Sequence, residues 1–180
     1  MSLLVEDLFA LSRVQGPTRL AQRQPVSLTE VVVDVVSEAG PTAEAARVTL
    51  RLQAPEDDRL AVSGHHADLT RALANLLANA IHHTDPGQAV EVRAGRTPSG
   101  AVHVEVVDQC GGIPNDNLDH VFEAGWRGNP ARTGDHGGAG LGLAIVRGVA
   151  ESHEGQIGVR NTRRRLRLRP RTPARQRHRR

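Results

Sequence analysis

The chain is 180 residues long, enough for one domain with a hydrophobic core of its own. Its single cysteine, Cys110, excludes an internal disulfide, and no apolar run approaches the ~18 residues of a membrane-spanning helix, so a soluble, cytoplasmic protein is expected. All 23 basic residues are arginine and ten of them fall in 161–180, where there is no acid; the first 160 residues hold thirteen arginines against twenty acids, a net of −7, so no basic nucleic-acid surface is implied on the folded body.

In chain order, Leu4, Leu8 and Leu11 share one face of a short amphipathic helix over 3–14. Gly16-Pro17 ends it, and 16–26 reads as a linker. Ser27 with Glu30 three residues on forms a capping box and starts a helix that runs to about Ala46. Val48, Leu50 and Leu52 alternate with polar residues as a strand does, and Leu60 and Val62 suggest another. Residues 66–83 carry the clearest helical period. Residues 89–96 and 101–107 both alternate, with Pro98-Ser99-Gly100 turning between them as a hairpin. The stretch 109–139 is rich in Gly, Asn and Pro and has no strong period beyond a turn at Leu118–Phe122. Residues 141–152 are helical again, and Ile157 and Val159 begin a strand before the arginine run. This order predicts an α+β sandwich, a mixed sheet with helices on one face. A loop as long as 109–139 is uncommon in a compact domain unless it has a function.

Three clusters carry candidate chemistry. On helix 66–83, Leu69, Leu73, Leu76 and Ala80 form a core stripe, and Arg71, Asn75, Asn79 and His82 form a second stripe beside it. Asparagine is a poor helix former and needs partners when half-buried. Its amide oxygen suits Mg²⁺ and its NH₂ can donate to phosphate, although two amides bonded to nearby backbone fit the same pattern. Asp108 ends an apolar strand and is followed by Gly111 and Gly112, an arrangement that suits either an acceptor in a pocket for a flat ring or a plain Asx turn. Gly137, Gly138, Gly140 and Gly142 open the helix at 141, as a phosphate site at a helix N-terminus or as a hinge.

Taken together, N-x-x-x-N-A, D-x-x-G-G-I and G-x-G-L-G-L in this order resemble the ATP-binding domain shared by sensor histidine kinases, gyrase and the mismatch-repair ATPases, the Bergerat or GHKL fold. LTRALANLLANAIHHT looks like the histidine-kinase N box, VVDQCGGIP the first glycine box, VFEAGWRG the F box, and GGAGLGLAIVRGVAESHEGQIGV the second glycine box and its following strand. The likeness spans roughly 27–160. The wording of the first glycine box and of GWRG is similar to actinobacterial members. The replacement of lysine and aromatics by arginine, alanine and glycine fits a GC-rich genome of that kind.

The resemblance implies a Bergerat-type sandwich with an ATP lid in 109–139, and it implies ATP and Mg²⁺ as ligands. Asn79 would ligate Mg²⁺, with Asn75 beside it. His82 stands near the phosphates where the family often has lysine or arginine. Asp108 would accept from the adenine amino group, and Gly112 would wall the adenine pocket. Arg127 matches an F-box arginine that reaches the γ-phosphate. Gly138, Gly140 and Gly142 would hinge the lid and present backbone N–H groups, and Leu141 would seal the base. Asn79 and Arg127 are thus the expected catalytic residues. The implied partners are a histidine-bearing dimerisation domain and a response regulator.

Some features depart from the family. Cys110 replaces the first glycine of D-x-G-x-G. The phosphoacceptor box H-E/D-x-x-x-P is absent, and Ser152-His153-Glu154 fits the end of the second glycine-box helix instead. Residues 3–14 resemble only the end of a dimerisation hairpin, and 1–15 is read as its remnant. The ATP domain is expected over 27–161. After Thr162 the chain runs RRRLRLRPRTPARQRHRR, either a frameshifted end or a real basic tail, in which Leu166 and Leu168 still allow a short strand over 165–169. Such a chain could donate phosphate only to a histidine on another chain. The alternatives are a catalytically idle ATP-binding fragment or partner-binding module, and a polyanion-binding tail without aromatics for base stacking.

Overall fold

The computed structural model describes residues 23–55, 60–109, 112–126, 140–160 and 165–169. The expected helix at 3–14 lies outside them. Strand β1 (Gln24–Ser27), which begins inside the stretch read as a linker, leads directly into helix α1 (Leu28–Ala45). The Oγ of Ser27 accepts from the backbone N–H of Glu30 at 3.3 Å, as the capping box requires. Val31, Val32 and Val35 give α1 a buried face. Arg47, at φ 56°, then turns the chain into β2 (Thr49–Gln53).

Strand β3 (Ala61–Gly64) precedes α2 (His66–His83), whose buried residues Leu69, Leu73, Leu76, Leu77 and Ala80 repeat at helical spacing. Strands β4 (Ala89–Arg96) and β5 (Val102–Val107) form the expected hairpin. At its turn Gly100 donates to the Thr97 carbonyl at 2.8 Å and adopts φ +82°, a conformation that suits glycine. A short 3₁₀ turn (Asn115–Asn117), helix α3 (Gly142–Ser152), β6 (Gln156–Arg160) and β7 (Arg165–Arg169) complete the chain.

The main sheet is mixed, in the order β2-β4-β5-β7-β6, with β2 and β4 parallel and the other pairs antiparallel. Strands β1 and β3 make a separate antiparallel pair. The pleat decides which side is covered. Val90 and Val92 of β4 and Val102, Val104 and Val106 of β5 join the core with α1, α2 and α3. On the other face Arg93 reaches the Glu91 carboxylate at 2.6 Å and the Glu105 carboxylate at 4.0 Å.

The arginine run supplies β7, which lies beyond residue 161, between β5 and β6. Leu166 stands opposite Val106 and Val159, and Leu168 opposite Val104 and Ile157. The leucine–arginine alternation has the period of two expected of a strand. Among the described residues no helix is long and apolar enough to cross a membrane.

Candidate nucleotide-binding site

Helices α2 and α3 run antiparallel, and the site motifs gather where the middle of α2 meets the start of α3. Asn75 is half-buried on α2, and its Nδ2 is buried with no hydrogen-bond partner among the described residues. A buried unpaired amide costs about 1–3 kcal/mol, so its retention calls for a ligand or a function. Gly142 faces it: a Cβ built there would stand 3.7 Å from the Asn75 Oδ1. Asn79 follows one turn further along the same side of α2, also half-buried.

The start of α3 has the features of an anion site. Leu141 occupies the N-cap without a side-chain hydrogen bond, and the first turn carries no acid. Backbone N–H groups there lack intrahelical acceptors and sit at the positive end of the helix dipole. Glycine at 142 keeps the approach free of side chain. The orphan Asn75 amide and this bare N-terminus lie against each other, so a phosphate oxygen between them would satisfy both. The amide oxygens of Asn75 and Asn79 are hard neutral donors of the type Mg²⁺ accepts, and the donor set fits that ion.

Asp108 continues β5 and is half-buried, and Gly112 beyond it adopts φ +90°. Only glycine holds such a backbone without strain. Further on, Gly125 donates its N–H to the Gly140 carbonyl at 3.1 Å. Gly140 adopts φ +70°, and a Cβ there would meet the Trp126 carbonyl oxygen at 2.8 Å. The F box thus fixes the point at which the chain re-enters α3. Nearby, His120 Nδ1 lies 2.8 Å from Glu123 Oε1, and that hydrogen bond holds the imidazole above the usual histidine range.

The structure therefore brings Asn75 against Gly142, sets Asn79 beside them, and places Gly140 and Leu141 directly before Gly142. Asp108 and Gly112 flank the end of β5. His82 is exposed in the last turn of α2, its ring 4.9 Å from that of His83 in an edge-on contact. Arg127, Gly138 and Cys110 lie outside the described residues, as does most of the expected lid. A separate cleft of about 310 Å³ between Phe122, Arg147, Glu151 and Ile157 includes none of the candidate ligand-binding residues. Among the described residues no group of His, Cys, Asp or Glu forms a metal cluster.

Two features escaped the sequence reading. The backbone of Gly125 and Trp126 packs against Gly140, although the motif directed attention to Arg127. His153 is buried at 4 % exposure and bonded on both ring nitrogens. No local pattern announces either, because each depends on a partner distant in sequence.

A mixed sheet with its helices on one face, and an asparagine-bearing helix set against a glycine-opened one, define a Bergerat-type ATP-binding domain. Residues 64–174 match the family model described as histidine kinase-, DNA gyrase B-, and HSP90-like ATPase. The chain belongs to that family, in its sensor-histidine-kinase branch. It is 37% identical over 156 residues to the sensor-like histidine kinase SenX3 of Mycobacterium tuberculosis, covering 87% of this chain and 37% of the relative. It is 39% identical over 159 residues to the probable sensor histidine kinase TcrY of the same species, covering 87% and 32%. The chain thus spans about a third of the length of these relatives. Among solved structures, the mycobacterial sensor histidine kinase MprB superposes with a TM-score of 0.68 at 27% identity, covering 83% of this chain and 99% of that one. Full-length ShkA, solved in complex with AMPPNP, gives a TM-score of 0.77 at 24% identity over 95% of this chain and 36% of its own, a likeness of fold.

Proposed function

We propose that this chain binds Mg-ATP between α2 and the N-terminus of α3 and donates the γ-phosphate to a histidine on another chain, from which a response regulator would take it. The observation that carries the reading is the buried, unpartnered Asn75 amide facing the uncapped start of α3. Asn79, one turn on, is the proposed Mg²⁺ ligand, with Asn75 beside it. When bound, the ion would neutralise phosphate charge and hold the triphosphate in one geometry. Asp108 takes the adenine amino group, Gly112 walls the base and Leu141 seals it. Backbone N–H groups at Gly140 and Gly142 receive phosphate oxygens, and His82 adds a polar group at their edge. Gly138 and Arg127 complete the set by resemblance, with Arg127 directed to the γ-phosphate. The proposed reaction draws on ATP, which supports a cytoplasmic location for this domain.

The first test is titration calorimetry of Mg-ATP into the 180-residue chain and into Asn79→Ala. Wild type is expected to bind with Kd below about 1 mM, a free energy beyond about −4 kcal/mol, and the variant is expected not to bind. Equal binding by both would remove Asn79 from the site. Labelled ATP mixed with a histidine-bearing hairpin then tests transfer. Binding without labelling would leave the idle nucleotide-binding module as the function.

A further inference from the structure

At the end of the α2–α3 pair remote from the Asn75–Gly142 contact, an imidazole bridges the two helices. His153 is the C-cap of α3, and its Nδ1 donates to the Val149 carbonyl at 2.8 Å. Its Nε2 accepts the backbone N–H of His65, the N-cap of α2, at 3.0 Å. A carbonyl accepts only and an N–H donates only, so these partners select the neutral tautomer with its proton on Nδ1. The ring has nowhere to retreat. A Cβ built on Gly64 would meet its Cδ2 at 2.6 Å, and the His65 ring stands edge-on at 6.3 Å.

We propose that His153 is a positioning residue that sets α3 against α2 through its bond to the His65 N–H, and that its protonation releases this junction and weakens nucleotide binding at the other end of the two helices. The inference rests on the nucleotide reading for its second half. The physical basis is a conflict of donors. A proton on Nε2 would face the His65 N–H across 3.0 Å, turning an acceptor into a second donor in a buried site. The groups around the ring come from three elements. Arg23, ahead of β1, donates to the Ser152 carbonyl and to Glu154 Oε1, and adds positive charge beside the ring. His65 also opposes a second positive charge, while Asp68 in the first turn of α2 favours it. Burial outweighs the acid and holds the imidazole below the usual histidine range. From His65 to Asn75 is ten residues of chain, about 15 Å of helix. A change in how α2 meets α3 at one end therefore displaces the Asn75–Gly142 contact at the other, because both helices are rigid over that length.

The test uses the 180-residue chain, wild type and His153→Gln, whose amide can accept from the His65 N–H but does not titrate near neutrality. His120→Gln serves as a control for an exposed histidine. A two-dimensional NMR titration from pH 8 to pH 5 follows the His153 ring, the His65 amide and the Asn75 side-chain amide without nucleotide. The three are expected to shift with one midpoint, below 6.5. Mg-ATP affinity at pH 7.5 and 5.5 is the second arm. The acid-induced loss should be at least threefold larger for wild type and His120→Gln than for His153→Gln, which cancels the titration of ATP itself. A His65 amide or an Asn75 amide that does not follow the ring overturns the junction, as does an equal loss of affinity in all three proteins. If no nucleotide binds at any pH, the nucleotide reading fails and the NMR arm still decides the junction. If His153→Gln does not fold, the wild-type titration decides it alone.

Discussion

Three glycines show where the fold has room for a side chain and where it has none. Gly140 combines a positive φ with a backbone carbonyl where a side chain would begin, and a carbonyl cannot swing aside as a flexible side chain can. Gly140→Ala should therefore cost about 1–3 kcal/mol in urea unfolding and reduce Mg-ATP affinity, because relief of the clash pulls the F-box backbone off the start of α3. Gly87→Ala, also at positive φ but with open space around it, should cost less and leave affinity unchanged. At Gly64 the obstacle is the His153 ring, so the same substitution there displaces a side chain already bonded at both nitrogens. The sequence made the α3 glycines visible as a cluster. It did not single out Gly64, whose constraint comes from a residue 89 positions away.

Among the elements, local chemistry made some legible and left others hidden. Helix α2 is plain in the sequence because its buried residues, from Leu69 to Ile81, recur at helical spacing. The β4–β5 hairpin is plain because alternation and a glycine turn agree. Strand β1 was hidden, since Gln24-Pro25-Val26-Ser27 shows no alternation and gains its identity only by pairing with β3. The arginine run carried both readings: its Arg-Leu alternation allowed a strand, while its charge suggested a tail. Its position settles what the strand contributes. β7 lies between β5 and β6, so a chain ended after Arg160 loses the partner of both. Such a chain should show no cooperative urea transition, whereas one ended after Arg169 should keep the transition of the 180-residue protein. A single Leu76→Ala in α2, by comparison, should cost about 2–5 kcal/mol without abolishing cooperativity.

For the molecule as a whole, pH acts through two histidines shifted in opposite directions. His153 has a lowered affinity for protons in the folded state, so the unfolded chain binds more protons as pH falls through about 6.5. Its contribution is complete above that pH and is lost below it, until the folded form is protonated too. His120 has the opposite sign: its bond to Glu123 contributes below about 6.5 and is lost as pH rises through its raised value, at an exposed site where solvent screens most of the effect. The unfolding free energy should therefore fall from pH 7.5 to 5.5, and His153→Gln should flatten that slope where His120→Gln does not. The bond between Gly125 and Gly140 has a different consequence. It brings the two flanks of residues 127–139 to one point, whatever lies between them. Doubling the length of a chain segment closed in this way adds only about 0.6 kcal/mol of closure entropy. A short peptide spliced between Arg127 and Gly138 should therefore leave α3 in place, and any loss of Mg-ATP affinity it causes would report on the residues it separates rather than on the fold.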